Sequence, residues 1–293
     1  MDRSTEIFEQ HRSGLFRLAY GMLERVALAE DAVQEAYLRW KQIDDKQILK
    51  KKSYLYTIVS NLCLDELKSA RNRKERYVGP DLPEPLLISD SNTPEQSTII
   101  ADSLSMALMV TLKQLTPVQR AVFLLREVFD YEYSSIANIL GKSESYCRKI
   151  GQRARQQIKD NRPSYEPVVQ EKHRIVESFM NAVRNGNMKD LEFMLADDAI
   201  LYSDGGGKVG TARKPIQGGT NVAKFLNGIR KKTTDDPYVE FEVINGEPGI
   251  IAYLKDQLHS VWSFSIYEGV IHNIYVVLNP DKLEHLKSAL LRG

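Results

Sequence analysis

The apolar residues of this 293-residue chain change their period once, and that change limits the fold more than any single motif. Up to about residue 160 they recur at three and four, as in Ile7, Leu15, Leu18, Ala19 and Met22, or Leu55, Ile58, Val59 and Leu62. This is the spacing of one helix face, so the front of the chain reads as bundled helices. Beyond Val168, helices over Gln170 to Asn185 and Met188 to Leu195 give way to alternating runs at Ala199 to Tyr202, Tyr238 to Ile244, Gly249 to Leu254, Leu258 to Tyr267 and Val270 to Leu278. Helices followed by a meander of strands describe an α+β domain.

The helical part is itself divided. From Gly79 to Thr93 the period stops, and Pro80, Pro83, Pro85 and Pro94 stand among acids with no base, which reads as a linker. The expected organisation is a helical domain over 1–78, an acidic Pro-rich linker over 79–102, a second helical domain over 103–163, and an α+β domain over 168–290. Thr116 is placed to cap a helix with Pro117 at its first position, and Pro163 and Pro167 end the helical region.

Composition supports folded domains and excludes several classes. With 42% apolar residues and only 17 Gly and 11 Pro, the chain is neither collagen-like nor disordered. Its two cysteines, Cys63 and Cys147, sit in apolar helical patterns and in no CxxC pair, so no disulfide framework, metal site or metal cofactor is expected. No apolar stretch approaches the roughly 20 residues of a membrane span, and the start lacks a signal peptide's apolar core, so a cytoplasmic protein without membrane contact is expected. The net charge of +1 conceals a local excess: Lys142 to Arg162 hold seven bases against Glu144 and Asp160. Such a stripe attracts a phosphate backbone.

Around Gly141 that stripe becomes a motif. Ile136, Ala137, Ile139 and Leu140 form a short apolar face, Gly141-Lys142-Ser143 a tight turn with Ser143 as cap, and Cys147, Ile150, Ala154 and Ile158 the seam of the next helix. This is a helix-turn-helix pattern. With the seam inward, Ser145, Tyr146, Arg148, Lys149, Gln152, Arg153 and Arg155 point outward, as a recognition helix in a major groove requires. An αα-hairpin with a basic surface is the plainer reading of the same residues. A second mixture, Lys50 to Lys52, Tyr54, Tyr56, Asn61, Lys68, Arg71, Arg73, Lys74 and Arg76, combines cations, aromatics and an amide. It suits unpaired bases, although the tyrosines also fit a core boundary.

Four ordered segments carry a resemblance: Ala29-Glu30-Asp31-Ala32-Val33-Gln34-Glu35-Ala36-Tyr37; Tyr54 to Asn61 with Asp65; Leu115-Thr116-Pro117-Val118-Gln119-Arg120 through Val128; and Arg153-Ala154-Arg155. They resemble regions 2 and 4 of extracytoplasmic-function (ECF) RNA polymerase sigma factors. The resemblance implies two all-α sigma domains that bind core RNA polymerase and promoter DNA, both duplex and melted strand. It places the Asp31, Gln34, Glu35 face on the polymerase clamp helices. It assigns the helix carrying Tyr54, Asn61, Arg71 and Arg73 to the −10 element and the helix after Ser143 to the −35 element.

The likeness continues into a subgroup with a SnoaL-like (NTF2-like) C-terminal extension, a cone of curved sheet closed by helices. Tyr77-Val78-Gly79-Pro80-Asp81-Leu82-Pro83-Glu84-Pro85 resembles that subgroup's linker motif, with Asp81 where the motif has Trp. Asp204-Gly205-Gly206-Gly207-Lys208 and Asn279-Pro280-Asp281-Lys282-Leu283 resemble its C-terminal motifs, as do Arg213 to Ile216 and Val222 to Leu226. The implied role is an interdomain regulatory contact. The glycines suit positive φ angles, and the run is no phosphate loop because GxxxxGK[ST] is absent. Such cones often hold a small apolar ligand. A SnoaL-like isomerase or hydrolase using Asp204, His259 or His272, with a DNA-binding appendage, is the alternative; a regulator without catalytic residues is the expectation.

Overall fold

The computed structural model describes residues 2–43, 48–72, 77–87, 104–159, 169–232 and 237–290. The chain divides into two compact units, one of residues 1–75 and 109–162, the other of residues 76–108 and 163–293.

In the first unit, α1 (Arg3–Leu23) starts where Asp2 accepts a hydrogen bond from Thr5 N at 2.8 Å, a side-chain cap for an otherwise unpaired amide. It packs with α2 (Val26–Lys41) and α3 (Lys51–Asn72) around Phe8, Leu15, Leu18, Trp40, Leu55 and Val59. Helix α4 (Met106–Leu112) precedes α5 (Pro117–Phe123), which opens with the expected Thr116 cap. Gln119 completes it reciprocally, its N–H donating to Thr116 Oγ1 at 3.4 Å while its Oε1 accepts from Thr116 N at 2.9 Å.

The helix that opens at Pro117 does not stay α-helical to its end. A π-helical turn at Leu124–Val128 widens it by one residue, with Phe129 N donating to Leu124 O at 3.1 Å. The turn at Gly141 is as expected: α6 (Tyr133–Leu140) ends there at φ +61°, and α7 (Glu144–Lys159) begins with Ser143 Oγ accepting from Tyr146 N at 3.3 Å.

In the second unit, α8 (Val169–Asn185) and α9 (Met188–Met194) lead into β1 (Leu195–Asp204) and β2 (Ile216–Gln217). Helix α10 (Gly219–Lys232) follows, then β3 (Tyr238–Ile244), β4 (Glu247–Leu254), β5 (Gln257–Tyr267), β6 (Val270–Val277) and α11 (Pro280–Leu290). The sheet order is β2-β1-β6-β5-β4-β3, antiparallel throughout except for the parallel β1–β6 pair. Register shifts in β1, β4 and β5 bend the strands. One face packs on α8, α9 and α10 through Phe179, Leu191, Val222, Ile250, Phe264 and Ile274.

A row across the opposite face, Ile251, Val261, Val277 and Asp204, is equally buried. An antiparallel sheet can leave its second face to solvent, but here residues 77–87 and α11 lie over that row. Helices α10 and α11 were not among the expected elements, although Val222, Leu226 and Ile229 in one and Pro280 at the head of the other are helical signals.

Phe264 meets Phe179 edge to face with centroids 5.5 Å apart in the middle of this core. Phe264→Ala is expected to cost about 3–5 kcal/mol. The urea transition of the second unit should move to lower denaturant, while that of the first unit stays in place.

Candidate nucleic-acid interface and linker clamp

The geometry of α7 sorts the outward residues expected there. Cys147, Ala154 and Ile158 are buried, and directly opposite them stand Ser145, Lys149, Gln152 and Gln156, all exposed. Gln156 lies on this stripe by its i, i+4, i+7, i+11 spacing, although the motif reading did not single it out. Arg148 and Arg155 flank the stripe on one side, Tyr146 and Arg153 on the other. Arg148 Nη2 meets Glu144 Oε1 at 2.5 Å, and its guanidinium lies 5.2 Å from the centre of the Tyr133 ring. Arg155 Nη2 donates to Glu127 Oε1 at 2.8 Å, an acid presented by the π-turn. Gly151 has no side chain because Tyr133 occupies that place: a Cβ there would lie 2.6 Å from the Tyr133 hydroxyl.

On α3, Asn61 is exposed, and Tyr54 is half-buried with its ring 6.3 Å from that of Trp40. Tyr56, one aromatic of the mixture read as base-stacking, is instead core at 3% exposure, and burial pushes its phenol up to about 12. The side chain of Arg71, and Arg73 altogether, lie outside the described residues. On α2, Val26, Ala29, Val33, Ala36 and Trp40 face inward, leaving Asp31 and Gln34 exposed. Glu35 sits at the edge of that face, paired with Arg39 Nε at 2.8 Å. Leu38, half exposed, extends the same face by the i+4 spacing from Gln34.

The three motifs read as regulatory meet at one place in the second unit. Asp204 ends β1 completely buried, and its carboxylate accepts from Tyr77 Oη at 2.5 Å, Leu82 N at 2.9 Å, Gly206 N at 3.0 Å and Lys282 Nζ at 2.8 Å. Lys282, 2% exposed, also donates to Asp81 Oδ1 at 2.5 Å and to Leu82 O, so all three ammonium protons have acceptors. Asn279 Nδ2 donates to the Tyr77 oxygen at 2.8 Å. Burial, reinforced by the Asp204 carboxylate, drives the Tyr77 phenol well above its ordinary value and keeps it a donor.

Of the three glycines, Gly206 (φ +59°) and Gly207 (φ +75°) take the left-handed conformation. A Cβ on Gly206 would run into the Asn279 amide, and one on Gly207 would lie 3.2 Å from Val78 Cβ. Lys208 reaches Asp281 at 2.7 Å, Leu283 is buried under the cluster, and Gly79 turns at φ +88°. Farther along, Pro83, Glu84 and Pro85 are buried, and His285 Nε2 lies 2.8 Å from Pro85 O.

Asn245 is the residue sequence reasoning missed. The Asn245-Gly246 turn between β3 and β4 is readable as a hairpin signal. Its side chain, however, grips the linker: Oδ1 accepts from Leu86 N at 3.0 Å, and Nδ2 donates to Leu104 O at 3.2 Å.

The residues suggested for acid-base work do not converge. Asp204 is consumed by the cluster and pairs in register with Val277. His272 lies five residues from Val277, about 16 Å along the strand. It stacks on Tyr267, and its Nδ1 is 3.5 Å from Asp198 Oδ1. Burial lowers its pKa despite Asp198. His259 is exposed on β5.

The chain thus pairs a basic helix-turn-helix unit with a second helical domain, and comparison with known proteins assigns both. The Sigma-70 region 2 model matches residues 7–73 and the Sigma-70 region 4 model matches residues 105–158. ECF RNA polymerase sigma factor SigJ of Mycobacterium tuberculosis is 31% identical, covering 94% of this chain and 91% of that one. The probable ECF RNA polymerase sigma factor SigI of the same species is 30% identical over 100% and 99% of the two chains. The crystal structure of M. tuberculosis SigJ matches with a TM-score of 0.77 at 28% identity, covering 96% of this chain and 98% of that one. This chain belongs to the ECF RNA polymerase sigma factors and carries a SnoaL-like C-terminal domain. It is a transcription factor rather than an enzyme, and binds core RNA polymerase and promoter DNA.

Removing one member of a buried ion pair strands the other, at a cost of about 3–5 kcal/mol. Asp204→Asn is therefore expected to lower the unfolding midpoint of the second unit strongly. A double-mutant cycle with Lys282→Met, read by chemical denaturation, should return a coupling well above that of an exposed pair.

Proposed function

We propose that the C-terminal domain sets the activity of the sigma domains by holding the linker. The observation that carries this reading is that Leu82 gives both its N–H and its C=O to one buried ion pair, Asp204 and Lys282. In this reading Leu82 is either seated on that pair or released from it, the two states that a switch requires. Pro80, Pro83 and Pro85 stiffen the segment, so that release at Leu82 moves its flanks with it. The apolar interior of the cone, with no pair of acid-base residues brought together, supports a regulatory rather than a catalytic domain. As a sigma factor the chain acts where RNA polymerase is, in the cytoplasm.

In this reading Asp31, Gln34 and Glu35, extended by Leu38, meet the polymerase, and Asn61 with Tyr54 and the basic end of α3 reads the −10 element. Lys149 and Gln152, at the crest of α7, read base edges of the −35 element, while Arg148, Arg153 and Arg155 hold phosphates from its flanks. Lys149→Ala or Gln152→Ala is then expected to relax preference at one promoter position at a cost of about 1–3 kcal/mol. Arg148→Ala should weaken all sequences alike and reduce the salt slope by about 1. Transcription from a promoter library with purified core polymerase separates the two patterns.

The linker is tested by Pro83→Gly, which loosens it, by Gly206→Val, which forces a β-branched residue into φ +59° against Asn279, and by truncation after Arg162. Each is expected to change promoter output while the sigma domains keep their helical signal. Unchanged output in all three would refute regulation by the C-terminal domain.

A further inference from the structure

The second unit carries a strongly basic surface of its own, in a chain whose net charge is only +1. Residues 205–234 hold seven bases and no Asp or Glu. Two of the seven are engaged within the protein: Lys208 meets Asp281 at 2.7 Å, and Arg230 Nε donates to Arg184 O at 2.5 Å. The other five, Arg213, Lys214, Lys224, Lys231 and Lys232, are exposed and have no ion-pair partner among the described residues.

Helix α10 brings most of them to one side. Gly219, Val222, Ala223 and Leu226 are buried where the helix packs on β1, α8 and α9. The opposite side is therefore Asn221, Lys224, Gly228 and Lys231, with Lys232 beside them. Lys224 and Lys231 stand two turns apart, about 10 Å along the axis. Arg213 and Lys214 come just before β2, whose two residues lead into the amino end of the same helix.

Two features separate this surface from an ordinary solvated face. Bases in the last turn complement the negative end of a helix dipole, which accounts for Lys231 and Lys232. It does not account for Lys224, Arg213 or Lys214, nor for the lack of acids, since exposed faces normally intersperse the two signs. The second feature is Gly228. Glycine weakens a helix relative to every residue but proline, yet a Cβ there would meet nothing within 4 Å, so no packing inside the protein calls for it. Bare backbone at the centre of a basic crest lets another surface approach closely.

The chemistry of the crest selects that surface. It has no apolar residue, so it lacks the anchor of an interfacial membrane helix. It carries three point charges and a single amide, a composition suited to phosphates rather than to base edges. The chain binds promoter DNA, so DNA held by the sigma domains is tethered to this surface. A few phosphate contacts too weak to bind alone then act at high effective concentration. We infer that the outer face of α10, with Arg213 and Lys214, is a sequence-independent contact between the C-terminal domain and the phosphate backbone of promoter DNA. This contact requires the sigma role but not the linker switch.

The test uses the full chain with core polymerase on promoter duplex. The triple variant Lys224→Gln, Lys231→Gln, Lys232→Gln is expected to weaken promoter binding roughly tenfold or more and to reduce the slope of log affinity against log salt by about three. Preference across a promoter library should stay unchanged. Arg213→Gln with Lys214→Gln should reduce the slope by about two. Gly228→Leu supplies a good helix former, so it is expected to raise the thermal midpoint while weakening promoter binding, a result that loss of folding cannot produce. A photoreactive group on Asn221→Cys identifies the partner, and the unsubstituted chain controls for labelling of the buried Cys63 and Cys147. The expected cross-link is to DNA. A cross-link to a polymerase subunit alone would overturn the inference in favour of an acidic protein face. So would wild-type affinity and salt slope in the folded lysine variant.

Discussion

A buried ion pair is a poor source of stability and a good source of specificity, and the second unit is organised around one. Burying a carboxylate and an ammonium costs several kcal/mol per ion unless each is fully hydrogen-bonded. Asp204 and Lys282 meet that condition only with outside help. Tyr77, Asp81 and Leu82 are distant in sequence, and they supply two donors and two acceptors to the pair. Without the linker, the end of β1 and the start of α11 would carry charges that no apolar cover could satisfy. The domain therefore requires a particular segment in a particular register, and the apolar row Ile251, Val261 and Val277 is buried as a consequence.

The same economy appears in the first unit, where Arg120 serves Glu24 and two backbone carbonyls at once. In both units a polar group, not an apolar patch, specifies the contact between segments remote in sequence. Polar contacts of this kind lose most of their energy when one partner moves by an ångström, whereas apolar contacts slide.

Most elements were legible because period dominates them: the 3.6-residue recurrence before residue 160 and the alternation after 195 both survive in the structure. Thr116, Gly141 and Ser143 were readable for the same local reason, since caps are decided by neighbours. What escaped was decided by distant residues. The π-turn at Leu124–Val128 has no sequence signature, because its extra residue is accommodated by Phe129 and Tyr131 packing on Tyr56. Tyr56 looked like a stacking platform because its burial comes from those same partners. Asn245 announced a hairpin, but nothing local announces that its amide faces Leu86 and Leu104. The motifs at Tyr77, Asp204 and Asn279 were visible through family resemblance, and only their meeting at one carboxylate shows why they occur together.

Exposure decides how much the aspartate at position 81 matters to the clamp. Asp81 touches the same ammonium as Asp204, but its side chain is 44% exposed while that of Asp204 is 0% exposed. Water screens the first contact and not the second, so the two are unequal despite similar distances. The essential linker contributions are then the Leu82 backbone and the Tyr77 hydroxyl, neither of which depends on residue 81. A residue other than the tryptophan of the subgroup motif can stand there because the position lies at the rim, where the Lys282 ammonium already has Asp204 beside it and the Tyr77 ring 4.7 Å away. The clamp is built to tolerate variation at its edge and none at its centre.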